Sequence, residues 1–160
     1  MKKHLLILAT CALFSQAALA ANLQGEFGIS LLQKVDTSRM QAQQGPDGSV
    51  DTAGPATYAF TPASNDLGMA FDEYSFSTDA SRTTIASISA NKTFASEKQC
   101  QAQLQSVKAN TDKKYGAPSY ASPNMLHFVD SNSKFKTASV GCSQNVMTFI
   151  MNDVGSNLKF

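Results

Sequence analysis

Tryptophan is absent, and histidine occurs only as His4 and His127. Charge is sparse, with Asp, Glu, Lys and Arg making up 16% of 160 residues. No basic run is longer than Lys113-Lys114. Binding to nucleic acid or to anionic lipid needs a positive patch, and the sequence supplies none. No apolar run approaches the roughly 20 residues that a membrane-spanning helix requires. The signatures G-x-S-x-G, H-E-x-x-H, the phosphate-binding P-loop and the EF-hand loop are all missing. No internal repeat of fixed period occurs. These absences remove the commonest hydrolase, metalloprotease, nucleotide-binding and calcium-binding classes, and they leave no cofactor to expect.

The first 20 residues do carry a pattern. Lys2 and Lys3 give a positive start, Leu5 to Phe14 is a short apolar stretch, and Ala18-Leu19-Ala20 is a small-x-small cleavage site. Together they read as a secretory signal peptide with a mature start at Ala21, which places the working protein in the periplasm or outside a bacterial cell. Leu8-Ala9-Thr10-Cys11 departs from a lipoprotein attachment box at Thr10, where Gly or Ala is usual. Too few apolar residues precede it for the box to work. Asn91-Lys92-Thr93 matches the N-glycosylation pattern, but a bacterial signal gives that pattern no use.

Removal of Lys2 and Lys3 lowers the basic count from 13 to 11, against 12 acidic residues, so residues 21–160 carry a formal charge of −1. Cys11 leaves as well, and Cys100 and Cys142 remain. An even pair in an oxidising compartment predicts a disulfide. Closing a loop of about 42 residues removes unfolded-state entropy equivalent to roughly 4 kcal/mol. A redox pair would be expected at C-x-x-C spacing, and a zinc site would need about four ligands, more than His127 and these two cysteines provide.

Residues 21–160 read as one small domain. Between Ala21 and Met40 the pattern is ambiguous: Phe27, Ile29 and Leu31 alternate as in a strand, while Leu31, Leu32 and Val35 suit a helix. Residues 41–57 hold three Gly, two Pro and one large apolar residue, Val50, and read as a mobile loop. Phe71–Thr78 and Thr83–Lys92 read as a hairpin turned at Asp79–Arg82, with a bulge or a late start in the first strand. Ser96-Glu97-Lys98-Gln99 is a capping box, and Cys100, Leu104 and Val107 follow as one apolar stripe. Gly116 and Pro118 stop that helix, predicted over 97–115. Met125–Asp130, Phe135–Cys142 and Val146–Asn152 read as three strands joined by short turns.

The fold expected is α+β: an antiparallel sheet in the order strand-strand-helix-strand-strand-strand, with one main helix packed on a face. Phe71, Tyr74, Phe76, Phe128, Phe135 and Phe149 fall at strand spacing and are expected in the core.

Candidate chemistry is thin. His127 has Asp130 and Ser131 nearby in sequence, but a Ser-His-Asp triad requires convergent side chains. Asp72 and Glu73 are adjacent, so on a strand they point to opposite faces and cannot act as a paired acid and base. Asp130 and Asp153 sit at turns. No catalytic or metal-binding residue is assigned. The pattern favours a small envelope binding protein, of inhibitor or immunity type and with another protein as partner. A structural or assembly accessory comes next, and an unrecognised hydrolase after that.

The exported protein should begin at Ala21. Intact mass spectrometry checks this. A lipid-modified Cys11 or an uncut chain in the envelope would contradict it.

Overall fold

The computed structural model describes residues 21–44 and 53–157. The predicted signal, Cys11 and the centre of the 41–57 loop lie outside the described residues. Two short strands, β1 (Gly25–Glu26) and β2 (Ile29–Ser30), pair with each other. The main sheet contains β3 (Thr57–Ala59), β4 (Glu73–Thr78), β5 (Ile85–Thr93), β6 (Tyr120–Ser122), β7 (Met125–Val129), β8 (Lys136–Ser143) and β9 (Val146–Asp153). Helix α1 (Glu97–Tyr115) lies between β5 and β6 in the chain, and a 3-10 turn (Val154–Asn157) follows β9. The seven strands run in the order β3-β4-β5-β9-β8-β7-β6, antiparallel throughout.

The fold is therefore α+β, with a single α-helix among the described residues packed on an antiparallel sheet. Leaving β5, the chain crosses the sheet as α1 and drops to the far edge as β6. It then returns through β7 and β8 until β9 pairs with β5. The helix packs on β8, β9 and β7. Its N-cap is Ser96, whose hydroxyl accepts the Gln99 amide at 3.3 Å. The buried stripe of Cys100, Leu104 and Val107 continues through Thr111 and Tyr115. Gly116 closes the helix with φ 79° and ψ −167°, a region open essentially to glycine alone, and its amide bonds the Asp112 carbonyl. Cys100 and Cys142 are bonded, with Cα atoms 6.0 Å apart, and so join α1 to β8.

Period-two alternation turns one side of every long strand into the core, on the side of the sheet that carries the helix. Register aligns Tyr58, Phe76, Ile88, Met151, Ala138 and Phe128 as one buried row across six strands. The hairpin turn before β5 is organised by Asp79, whose carboxylate accepts from the Ser81 hydroxyl and from the Thr83 and Thr84 amides. The Ser81 bond outweighs the opposing effect of burial and, together with those amides, holds its pKa down at about 2.

Several boundaries differ from the sequence expectation. β4 starts at Glu73 rather than Phe71, because the Phe71 amide donates to the Tyr74 hydroxyl at 2.8 Å instead of to a neighbouring strand. Its register shifts between Ser77 and Thr78. β5 starts at Ile85, since Thr83 and Thr84 belong to the Asp79 turn. The 41–57 loop ends inside β3: Ala42 bridges Tyr58, and the Gln43 amide donates to the Thr57 carbonyl at 2.7 Å. Phe135 is 49% exposed rather than in the core, because it precedes β8 in a turn closed by the Lys136 amide on the Ser133 carbonyl. β3 and β6 have no counterpart among the strands expected from the sequence.

Residues 21–40 form neither a long strand nor a helix. Their centre is the β1–β2 hairpin, turned by Phe27 (φ 58°) and Gly28 (φ 88°). Positive φ at both central positions is a tight-hairpin geometry that glycine tolerates and phenylalanine resists. A side chain on Gly28 would also strike Ala63, 2.6 Å from the Cβ position. The strained turn drives Phe27, fully buried, edge-on into Phe71, Tyr74 and Phe149 at centroid distances of 5.6, 5.1 and 5.3 Å.

Truncating the centre of the helix stripe tests this packing. Leu104→Ala should cost about 2–5 kcal/mol as a buried cavity, and Ser96→Ala about 1 kcal/mol as a lost cap. Urea melts of the two variants should separate in that order.

Candidate binding face

Among the described residues, the other side of the sheet carries no helix. Its rows follow from the same register, offset by one residue. One runs Ala59, Ser75, Ser89, Ile150, Ser139, His127, Tyr120. On one side of it lie Thr57, Ser77, Ser87, Asn152, Thr137 and Val129. On the other lie Glu73, Asn91, Thr148, Gly141, Met125 and Ser122. These rows hold no Lys or Arg, and their single carboxylate is Glu73 at one edge. Cross-strand hydroxyl pairs order the surface, with Thr57 to Ser77 at 2.8 Å and Ser75 to Ser89 at 2.7 Å. Toward β6 and β7 the face becomes apolar: Tyr120 is 54% exposed and Met125 41%.

A hollow of about 410 Å³ opens on this face over Gly141, lined among others by Met125, Ile150, Ser139, Thr148 and Asn124. The missing side chain has a local cause. The Asn124 carbonyl, in the β6–β7 turn, accepts the Cys142 amide at 2.8 Å. It also lies 2.8 Å from where a Cβ of residue 141 would sit. Only glycine lets the turn close over β8. A second hollow, of about 490 Å³, lies at the β3–β4 side, bordered by Gln43, Phe60, Pro62, Asp72, Glu73 and Tyr74.

The acid–base candidates are occupied elsewhere. Asp130 accepts the Leu23 amide at 2.6 Å and the Asn132 amide at 2.8 Å, while the Ser131 hydroxyl donates to the Ala21 carbonyl. Both residues hold the N-terminal segment and do not converge on His127, which stands on the open face between Tyr120 and Ser139. Asp72 precedes β4 and binds the Thr93 amide at 2.9 Å and Lys92 Nζ at 3.2 Å. These bonds, the amide first, hold its carboxyl below the usual range. Asp153 accepts the Gly155 amide. Asn91 lies inside β5, with strands on both sides. Among the described residues no group of three or more His, Cys, Asp or Glu is placed to hold a metal ion. Nor is any helix there long and apolar enough to cross a membrane.

No protein-family model, curated protein or solved structure matches the chain.

One polar cluster has no signal in the sequence. Glu26, next to the strained turn and 2% exposed, accepts from the Tyr115 hydroxyl and from Lys114 Nζ at 2.8 Å, and Lys114 also pairs with Asp66 at 2.9 Å. Burial pushes the Glu26 carboxyl above its ordinary value, and the Lys114 hydrogen bond offsets this only in part. Burial pulls the Lys114 ammonium down, but the bonds and charges of Glu26 and Asp66 outweigh it and leave the ammonium above its ordinary value. A chain-distant partner, 88 residues away for Lys114, leaves no trace in local pattern.

A raised carboxyl pKa means that the folded state holds its proton longer than the unfolded chain. The resulting stabilisation is complete below the unfolded value of 4.5 and fades as pH rises through the higher folded value. The stability of the wild type relative to Glu26→Gln should therefore fall as pH climbs from 4.5 through that window, and urea melts at stepped pH would show it. A difference that stays flat would contradict the raised value.

Proposed function

We propose that the protein is an exported binding module of the bacterial envelope, of inhibitor or immunity type, and that it engages another protein through the open face of its sheet. The observation that carries this reading is the near-absence of charge across that face, in a chain with 13 basic and 12 acidic residues. Interface cores are depleted of charge, and hydroxyl, amide and methionine groups can be covered without stranding an ion. Size supports it too. Seven strands about 4.8 Å apart, with the longest near 30 Å, offer on the order of 700 Å², close to the roughly 800 Å² per partner of a standard interface.

Photo-crosslinking in the producing cell tests this. A p-benzoylphenylalanine placed at Thr137 or Ser139 should give a discrete protein adduct. The same residue placed at Lys98 or Gln105, on the solvent side of α1, should not. Adducts of equal yield from both sides, or none from the sheet, would overturn the proposal.

A further inference from the structure

Resting on that reading of the open face, we infer that the hollow over Gly141 is the socket into which the partner inserts a neutral apolar side chain of leucine or phenylalanine size. Its floor and walls are fixed by register. Met125 and Thr148 are the cross-strand neighbours of Gly141 on either side, and Ser139 stands two residues along β8, beside Ile150. The Asn124 carbonyl curls over one end. No lining residue is ionisable, so a charged side chain would be desolvated there with no partner. An apolar group would instead cover Met125 and Ile150. Methionine adapts its shape to such a guest.

The volume, about 410 Å³, lies in the range of ligand sites and exceeds a single side chain. It therefore takes an anchor residue together with the flanking peptide units. The Ser139 and Thr148 hydroxyls border the hollow and can meet the polar groups of that peptide. An apolar anchor seated in a pocket with polar groups around it is an arrangement from which interfaces draw much of their affinity.

NMR titration of the exported protein with N-acetyl-phenylalaninamide measures the socket alone. Saturable shifts are expected at the amides of Met125, Gly141, Thr148 and Ile150. Ile150→Asp should weaken that binding by about tenfold or more, and so should Thr148→Phe, which fills the hollow without adding charge. Gln105→Asp, on the solvent side of α1, should leave it unchanged. The assignment is overturned if no saturable shift occurs. It is equally overturned if N-acetylglucosamine or N-acetyl-aspartamide shifts the same amides as strongly, or if the filled variant binds as the wild type does. Should the probe fail while adducts from Thr137 persist, the socket falls and the face reading stands, so the two failures are distinguishable.

Discussion

The insertion of Phe27 between the sheet and the N-terminal layer is the contact on which the rest of the architecture depends. A helix is about 10 Å across and covers two or three strands. Here α1 packs chiefly on β7, β8 and β9, toward one side of the seven-stranded sheet. Phe27 and its aromatic neighbours Phe71 and Tyr74 join Leu23, Leu31 and Leu67 in the buried core. The side chain reaches its place only because the backbone accepts positive φ there, and strain of that kind persists where packing over-determines it. Edge-on contact with three rings supplies such packing, since each aromatic pair is worth roughly 1 kcal/mol beyond its buried area.

Glu26 is drawn inward by the same turn. Its carboxylate cannot stay wet once Phe27 is buried beside it. The end of α1 answers with the Tyr115 hydroxyl and the Lys114 ammonium. The N-terminal layer and the helix are thereby tied together at the point where they meet. Asp130 and Ser131 fasten the start of that layer to the β7–β8 turn through Leu23 and Ala21. All of these covering elements lie on one side of the sheet. The bare hydroxyl face is the other side of that arrangement.

Legibility in the sequence followed the range of the interactions. Helix α1 was readable to the residue because its cap, stripe and stop all lie within a 19-residue segment and its flanks. β7, β8 and β9 were readable from alternation and short turns, and the Cys100–Cys142 bond from the two cysteines that the expected cleavage would leave. The β1–β2 turn was not readable, because Phe-Gly is a poor hairpin signal in isolation and the rings that reward it come from residues 71, 74 and 149. Phe135 misled because its spacing resembled a strand although its backbone belongs to a turn. The polar rows of the open face were present as the off-core positions of each strand. The hollow was hidden, because it exists only once register sets Gly141 between Met125 and Thr148.

The disulfide bears on that hollow more directly than its place in the core suggests. Gly141 and Cys142 are consecutive on β8, so their Cβ positions point to opposite faces of the sheet. The bond from Cys142 to the helix fixes the strand from below, and the Asn124 carbonyl clamps the Cys142 amide from the side. The floor of the hollow is thus held by a covalent link and a backbone hydrogen bond from the β6–β7 turn, next to a residue with no side chain of its own. A surface so held loses little freedom when a guest settles on it, which lowers the ordering cost of binding. The same staple that stabilises the fold therefore gives the Gly141 hollow a defined shape, and on the proposed reading rigidity and recognition share one strand.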